Sequence, residues 1–419
     1  MFHLFYLSVL AVFMKSFSLC LVLLSAASCI TKAQEINKNI LFDHIRTLAD
    51  DSLSGRGTGT KGERSAATYI ENEFRKLRLL PQGDNKTYLQ TFPFSKGVHG
   101  QGEKGMANNV IGYLDNQGKT TIVIGAHYDH LGTDGQGSSL DSNPANKIHN
   151  GADDNASGVA GVIELARYFS NNKLQESSNF IFICFSGEEL GLLGSKYFTE
   201  HPPVDLASVD FMINMDMIGR LSPANNLVIN GTGTSPVWEP LLKRINTEGL
   251  VITTDSSGTG PSDHTSFYLK NIPVLHFFTG GHEDYHKPSD DIGKINIEGE
   301  VKVLRLIARI IEVLDNEPKL AFLTTKNKMQ ARPSSFKVTL GIMPSYASGS
   351  EGLKVDAVSE GKPAAAAGIM SGDVIIQMGN YPITDIYSYM DALGKFEKGQ
   401  TVPVKVKRGK DSLDLTVLF

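Results

Sequence analysis

Short apolar runs that alternate with segments of helical spacing constrain the fold of this chain more than any other feature. Five of the runs have the length and composition of buried strands, and they occupy residues 109–114, 120–126, 179–186, 210–215 and 273–278. A long amphipathic segment follows them at 296–314. Strands connected through helices form right-handed crossovers and a mainly parallel sheet. We therefore predict an α/β fold with a mainly parallel, mixed sheet between two layers of helices.

Acidic residues and histidines follow these predicted strands. They form five clusters, which are His127-Tyr128-Asp129, Asp153-Asp154, Glu188-Glu189, Asp216 and Tyr285-His286. A surface histidine, a helix cap or a turn explains any one cluster by itself, and capping is the simplest explanation of Asp153-Asp154. In a parallel sheet, however, ligands bind beyond the carboxyl ends of the strands. Since all five clusters are expected at that edge, we predict that they form one site.

The residue types in these clusters favour zinc. Two histidines and several carboxylates, with no cysteine, form a donor set that suits Zn²⁺. One carboxylate shared by two ions lets few protein ligands hold both, and two ions about 3.5–4 Å apart lower the pKa of a water between them. A free acid beside the ions can take the proton of that water. The adjacent acids Glu188 and Glu189 supply one acid of each kind.

Five motifs contain these residues and carry a family resemblance. They are G-A-H-Y-D-H-L-G at 125–132, N-G-A-D-D-N-A-S-G at 150–158, S-G-E-E-L-G-L-L-G-S at 186–195, N-M-D-M-I-G at 214–219 and D-Y-H-K-P-S-D at 284–290. Together they resemble the dizinc aminopeptidases of the bacterial leucyl aminopeptidase and aminopeptidase Y type, over roughly residues 41–314. The resemblance implies a zinc-exopeptidase-like fold and two Zn²⁺ ions per chain.

The resemblance also implies a role for each motif residue. Glu188 is expected to act as general base and then to protonate the leaving amine. Asp153 is expected to bridge the two ions. The implied metal ligands are His127 and Asp216 at one ion, Glu189 and His286 at the other, and Asp153 at both.

Other site residues are expected around the ligands. Asp129 is expected to orient the imidazole of His127, with a solvated turn as the alternative. Tyr285 is expected to stabilise the oxyanion, with packing at the pocket rim as the alternative. The segment G-P-S-D-H at 260–264 resembles a family segment that lines the substrate pocket, which makes Asp263 and His264 candidates there. Four further histidines are expected to be structural or to face solvent, namely His130, His149, His201 and His282.

The last part of the chain, residues 336–419, changes to short strands with hairpin spacing and resembles a PDZ domain. The run from Ala366 to Asp373, with Ile375 and Gly379, matches the specific PDZ pattern. A PDZ domain adds a peptide as an extra strand and holds its terminal carboxylate in backbone amides. The expected carboxylate-binding loop contains Leu340, Gly341 and Ile342. The alternative is a module that only packs on the catalytic domain.

Residues 1–33 are interpreted as a signal peptide. Lys15 interrupts the apolar stretch, which disfavours an uncleaved anchor and fits a start at Met14. Cleavage before Gln34 predicts a secreted or periplasmic protein. The alternative is a lipoprotein anchored through Cys29, which is also the only membrane contact that we expect. Outside this leader the chain has one cysteine, Cys184, which is expected to be an inert buried thiol.

These observations predict an exported zinc aminopeptidase that acts on peptides with a free amino terminus. Its expected layout is a catalytic domain at 34–316, a linker at 317–335 and a PDZ domain at 336–419. The net charge of −5 and the lack of a basic run argue against nucleic acid as a partner. Two alternatives remain open, a glutaminyl cyclase-like acyltransferase with a single zinc and a non-catalytic peptide-binding protein on the same fold.

Overall fold

The computed structural model describes residues 35–95, 104–133, 135–141, 143–172, 174–325, 338–344, 352–358, 361–384 and 386–419. The expected signal peptide, with Met14, Lys15 and Cys29, lies outside the described residues. Within them, no helix combines the length and the apolar character that crossing a membrane requires.

The strands of the larger domain form one mixed sheet. Its strands are β1 (Leu80–Pro81), β2 (Leu89–Ser95), β3 (Lys104–Leu114), β4 (Thr121–His127), β5 (Asn179–Phe185), β6 (Val209–Met215), β7 (Asn226–Asn230), β8 (Val251–Asp255) and β9 (Val274–Phe278). Their order in the sheet is β1-β3-β5-β4-β6-β9-β7-β8, and β2 pairs with β3. The pairs β4–β5, β4–β6, β6–β9 and β7–β8 are parallel. The five predicted strands and the predicted fold class are confirmed.

Helices cover both faces of this sheet. They are α1 (Lys38–Leu48), α2 (Lys61–Lys76), α3 (Gly158–Asn171), α4 (Leu193–Glu200), α5 (Trp238–Ile245), α6 (His264–Tyr268) and α7 (Ile297–Leu314). Every residue of β4, β5 and β6 is buried, so side chains that alternate along each strand enter one of two cores. One core contains Phe180 and Phe182 with α1, α3 and α7. The other contains Ile181 and Ile183 with apolar residues of α4 and α6.

The sheet order explains how the predicted site comes together. Because β4, β5, β6 and β9 are mutually parallel or share parallel neighbours, their carboxyl ends lie at one edge. His127 is the last residue of β4, and Asp216 directly follows β6. Glu188 and Glu189 follow β5 after a turn at Gly187. Cys184 in β5 is completely buried, and burial raises the pKa of its thiol.

Helix α2 begins at a position where only glycine fits. A Cβ on Gly62, the second residue of the helix, would lie 1.9 Å from the carbonyl oxygen of Leu53. A Gly→Ala change in an open helix position stabilises by about 0.5–1 kcal/mol. We expect Gly62→Ala to destabilise by about 1–3 kcal/mol instead, because the backbone must shift. Urea unfolding measures this, with the exposed Ser65→Ala in the same helix as control. A stabilised Gly62→Ala variant would contradict the observed close contact.

A second, smaller sheet contains the strands of the predicted PDZ region. Its order is β10-β11-β12-β14-β15 with β13 on β12, and all its pairs are antiparallel. It has its own hydrophobic core, and Arg408 makes two hydrogen bonds of 2.7 and 2.8 Å to the carboxylate of Asp373. Its elements are β10 (Ile342–Pro344), β11 (Leu353–Val358), α8 (Pro363–Ala366), β12 (Val374–Met378), β13 (Tyr381–Pro382), α9 (Ile386–Leu393), β14 (Thr401–Arg408) and β15 (Asp411–Leu418).

The first residues of the expected linker pack on the larger domain. The backbone N–H of Leu320 donates to Asp210 at 2.7 Å, and that of Leu323 donates to the carbonyl of Thr234 at 2.8 Å. Thr325 donates to the hydroxyl of Tyr268 at 3.0 Å. Burial of Leu320 in the core gives this segment a fixed path that its polar composition does not indicate. The rest of the expected linker, from 326 to 335, lies outside the described residues.

Candidate metal centre

The predicted clusters line a single cleft at the carboxyl edge of the large sheet. The cleft contains ≈ 510 Å³ of empty space, part of it open to solvent. Residues His127 and Asp216 reach it from β4 and β6, Glu188 and Glu189 from the turn after β5, and Asp154 from the loop before α3. The loop after β9 adds Tyr285 and His286. The structure therefore brings residues of all five predicted clusters together at this cleft.

One group of ligand atoms surrounds His127. Its Nε2 lies 3.3 Å from Oδ1 of Asp154 and 3.4 Å from Oδ1 of Asp216. All three atoms lie within 4.8 Å of one another, a spacing that one metal ion can bridge. His127 and Asp154 are buried and Asp216 is half-buried. This group could hold the first ion.

A second group shares Asp154. Nε2 of His286 lies 3.3 Å from Oδ2 of Asp154 and 3.3 Å from Oε2 of Glu189. His130 approaches the same acids, with its Nδ1 2.8 Å from Oε1 of Glu189 and 3.7 Å from Oδ2 of Asp154. The group of His130, Asp154 and Glu189 also fits within 4.8 Å. Asp154 and Glu189 could therefore hold the second ion with either histidine.

The shared carboxylate belongs to Asp154, which corrects the expectation for Asp153. Oδ1 of Asp153 accepts from the backbone N–H of Gly219 at 2.7 Å, and Oδ2 lies 3.1 Å from Nε2 of His282. Its side chain thus points away from both ligand groups. Asp154 has φ −105° and ψ 91°, and neighbouring side chains of such extended backbone point in opposite directions. Because Asp153 and Asp154 are identical and adjacent, the sequence alone does not indicate which of them faces the ligand groups.

Two histidines that were expected to be structural also contact the acids. His130 is completely buried against Glu189 and belongs to a candidate ligand group, so its expectation is corrected, whereas His282 contacts the loop-supporting Asp153, as a structural role requires. His149 forms a 2.7 Å hydrogen bond with the hydroxyl of Ser139, as a structural role requires. The position of His130 within the same motif as His127 was the signal that sequence reasoning left unused.

The adjacent acids Glu188 and Glu189 have opposite electrostatic environments. Burial raises the pKa of Glu188 well above its ordinary value, and Glu189 and Asp216 raise it further against the opposing effect of His127. Burial also acts to raise the pKa of Glu189, but His286 and His130 outweigh it and lower that pKa to about 2. Acids whose pKa values are pushed apart in this way suit different roles. Glu188 is suited to take a proton and Glu189 to stay ionised as a ligand.

Asp129 lies beside both His127 and Glu188. Nδ1 of His127 is 3.1 Å from the backbone oxygen of Asp129 and 3.7 Å from its carboxylate. The carboxylate accepts from the hydroxyl of Thr58 at 2.8 Å and from the backbone N–H of Glu188 at 3.2 Å. Asp129 therefore orients His127 mainly through its backbone oxygen, while its side chain fixes the start of the Glu188 turn.

The wall of the cleft beside the ligands is largely apolar. Met217, Pro261, Phe278 and Tyr285 line it, and the ring of Tyr285 stacks on His286 with 3.9 Å between ring centres. Asp263 and His264, which were expected to line the substrate pocket, are completely buried behind this wall and do not reach the cleft. His276 from β9, in contrast, lines the cleft. Burial at the start of α6 keeps these two side chains out of the cleft, and the segment 260–264 reaches it through Pro261 instead.

Arg56 connects two of the ligand-bearing loops, and sequence reasoning missed it. Its guanidinium donates to the carbonyl oxygens of Tyr128 at 2.8 Å, Asn150 at 2.6 Å and Gly151 at 3.0 Å, and also to that of Leu48. It is 1% exposed, and burial lowers its pKa to about 10. A single arginine in a polar helix-turn segment gives no sequence signal for such a contact.

The donor set fits zinc. The centre contains imidazole nitrogens and carboxylate oxygens, the ligands that Zn²⁺ takes when cysteine is absent. Four acids face one another there, and among the described residues none of them forms an ion pair with lysine or arginine. The acids are Asp154, Glu188, Glu189 and Asp216. Cations that neutralise them would remove the repulsion, as two divalent ions do.

Comparison with known proteins supports the family resemblance. Residues 109–311 match the model of Peptidase family M28, and residues 335–418 match the model of the PDZ domain. Leupeptin-inactivating enzyme 1 of Streptomyces exfoliatus is 28% identical over 59% of this chain and 49% of that protein. Aminopeptidase YwaD of Bacillus subtilis is 30% identical over 51% of this chain and 45% of that protein. The chain thus spans about half the length of these relatives.

Solved structures share the fold of the larger domain. A Zn-dependent exopeptidase from Parabacteroides distasonis superposes with a TM-score of 0.55 and 18% identity, over 68% of this chain and 99% of that one. A glutaminyl cyclase from Bacteroides thetaiotaomicron gives a TM-score of 0.54 and 19% identity, over 68% of this chain and 100% of that one. At these identities the likeness concerns the fold alone. The residues of the site must therefore distinguish between an exopeptidase and a glutaminyl cyclase.

Proposed function

We propose that this chain, in which residues 109–311 match the model of Peptidase family M28 and residues 335–418 match that of the PDZ domain, is a zinc-dependent aminopeptidase. The observation that carries the proposal is the place of Asp154. Its two carboxylate oxygens face two separate ligand groups, with Oδ1 toward His127 and Oδ2 toward His286. A carboxylate shared in this way is what a pair of ions requires, and it favours the dizinc peptidase over a single-zinc cyclase.

In the proposed centre, each ion has its own histidine and carboxylate. His127 and Asp216 would hold one, His286 and Glu189 would hold the other, and Asp154 would serve both. When bound, the ions polarise the carbonyl of the cleaved bond and make water a stronger acid. His130 donates to Oε1 of Glu189, which leaves Oε2 directed at the His286 side. His130 thereby orients the ligand.

Glu188 acts as the proton carrier of the proposed reaction. It lines the cleft beside the shared carboxylate, and its backbone N–H is held by Asp129 at 3.2 Å. Its pKa, raised by burial, favours uptake of the proton of the attacking water. The same proton is then given to the leaving amine. Tyr285 lines the cleft where the carbonyl oxygen develops charge, and its hydroxyl is proposed to donate to that oxygen.

The proposed substrates are peptides with a free amino terminus. Glu188, the acid of the cleft that the proposal assigns to neither ion, is proposed to attract the terminal ammonium group, which a blocked peptide lacks. The apolar wall of Met217, Pro261 and Phe278 contacts the side chain of the first residue, so we propose a preference for apolar side chains. The names of the relatives, which include aminopeptidases, agree with this substrate class.

The PDZ domain is proposed to bind the carboxyl terminus of a peptide. Among the described residues, strand β10 pairs with β11 alone, and its other edge is proposed to take an added strand. Gly341, the second residue of the expected carboxylate loop, has φ +75°, a conformation that favours glycine. Leu340 is completely buried and anchors the loop. A module that only packs on the catalytic domain remains the alternative.

Export is part of the proposal and rests on the sequence. The apolar segment within residues 1–33 supports a cleaved signal peptide with Gln34 as first residue, and Cys29 supports the lipoprotein alternative. The intact mass of the exported protein distinguishes the two.

Cleavage of matched peptides tests the proposed activity. We expect the zinc-loaded protein to release the first residue of peptides with a free amino terminus, and to leave the same peptides uncleaved when they are acetylated there. Treatment with a chelator should abolish release, and added zinc should restore it. Cyclisation of amino-terminal glutamine with one zinc per chain would instead identify a glutaminyl cyclase. Cleavage of the acetylated peptides alone would overturn the aminopeptidase proposal.

A further inference from the structure

Asp290 holds the backbone of the shared ligand. Its Oδ2 accepts from the backbone N–H of Asp154 at 3.0 Å and from that of Asp153 at 3.1 Å. Its Oδ1 also lies 3.1 Å from the N–H of Asp153. Asp290 is completely buried, so water does not compete for these two amides. One carboxylate therefore binds two successive backbone amides of the loop that presents Asp154.

Asp290 belongs to the loop that also contains His286, a candidate ligand of the second ion. It follows His286 by four residues, and its own backbone N–H donates to the carbonyl oxygen of Lys287 at 3.1 Å. Its backbone oxygen accepts from the N–H of Ala152 at 3.1 Å. Side chain and backbone of Asp290 thus join the His286 loop to three consecutive residues of the Asp154 loop.

Asp153 completes the connection from the opposite side. Its Oδ1 accepts from the N–H of Gly219, three residues after Asp216, and its Oδ2 contacts His282, four residues before His286. The Asp154 loop is therefore fixed to the segment after Asp216 as well as to the loop that contains His286. Within this arrangement, Asp290 is the group that contacts the amide of Asp154 itself.

We propose that Asp290 is a positioning residue that sets the Asp154 carboxylate between the two ligand groups. This inference rests on the proposed dizinc centre. A carboxylate that is charged and buried makes strong hydrogen bonds to backbone amides, and these fix the Cα from which the Asp154 side chain extends. Without Asp290, the two amides lose their acceptor, and the loop shifts to find another. The affinity for zinc then falls at both positions, because Asp154 would bind both ions.

The chain offers a matched control at the opposite end of the sheet. Asp315 is also buried, and its carboxylate also accepts from two successive amides, those of Ser177 at 2.8 Å and Ser178 at 2.9 Å. Those residues directly precede β5, whereas the metal centre lies beyond its carboxyl end. Substitution of Asp315 therefore removes the same kind of contact without touching the site.

Zinc competition titration of the full chain against a chelating dye tests the inference. The variants are Asp290→Asn, which keeps one acceptor oxygen, and Asp290→Leu, which keeps none, with Asp315→Asn and Asp315→Leu as controls. We expect zinc affinity to fall about 10- to 100-fold in Asp290→Leu, the size typical for groups that orient metal ligands. Asp290→Asn should lie between it and the unmodified protein. Both Asp315 variants should bind zinc normally, although their thermal unfolding temperature falls.

The outcomes separate this inference from the proposed function. Two zinc ions in the unmodified protein and unchanged affinity in both Asp290 variants would overturn the positioning role alone. An equal loss in the Asp315 variants would also overturn it, since the effect would then be one of general stability. Fewer than two ions in the unmodified protein would overturn the dizinc centre, and the positioning role with it. If Asp290→Leu does not fold, the comparison of Asp290→Asn with Asp315→Asn decides.

Discussion

Replacement of Glu188 by glutamine is expected to lower kcat by about 10²- to 10⁴-fold and to leave the zinc content unchanged. Glutamine has the size of glutamate but cannot take a proton from water or return it to the leaving amine. Glu188 is absent from both candidate ligand groups, so its loss removes no donor from either ion. Because the substrate still meets the same apolar wall, KM should change much less than kcat.

The neighbouring acid provides the control for this result. Glu189→Gln replaces a residue whose carboxylate lies 3.3 Å from His286 and 2.8 Å from His130, so it should weaken zinc binding as well as activity. Steady-state kinetics together with zinc analysis distinguishes the two variants. A Glu188→Gln protein with normal kcat would show that another group carries the proton. A Glu188→Gln protein without zinc would show that Glu188 is itself a ligand.

The second large effect is expected at the adjacent aspartates. Asp154→Asn should lose zinc at both positions together, because one charged carboxylate faces both ligand groups. Asp153→Asn should keep two ions, since the Asp153 side chain contacts Gly219, Ser157 and His282 instead. An asparagine at 153 still offers an oxygen to Gly219. Activity should therefore disappear in the first variant and be reduced in the second.

Zinc content by elemental analysis, measured after dialysis against zinc-free buffer, checks this pair. A fair comparison requires that both variants are folded, which circular dichroism establishes. If Asp153→Asn lost both ions while Asp154→Asn kept them, the sequence-based choice of Asp153 would stand and the assignment of Asp154 would fall. Loss of a single ion in Asp154→Asn would mean that the carboxylate is not shared.

Much of the fold and of the site could be predicted from local patterns. The apolar runs at 120–126 and 179–186 are recognisable because a strand buried on both faces needs apolar side chains at nearly every position. His127, Glu188 and Asp216 could be placed at one edge because parallel strands end there together. These predictions needed only the period of the hydrophobic pattern and the direction of the chain.

Other features depend on contacts between residues far apart in sequence. The packing of Leu320 in the core and the four carbonyls around Arg56 are examples, because the partners of each come from segments with no shared pattern. The contact between His130 and Glu189 is another example, because these two residues lie on separate loops. The stacked ring of Tyr285 likewise depends on the path of a loop.

The adjacent acids Asp153 and Asp154 show both what the sequence determines and what the tertiary structure decides. The sequence by itself determined that a loop with two carboxylates starts α3 beside a histidine-containing strand end, since motif and periodicity are local properties. Only the tertiary structure decided that Asp154 faces the ligands and Asp153 supports the loop. The physical reason is that backbone torsions and the amides held by Asp290 direct each side chain, and these are set by distant segments.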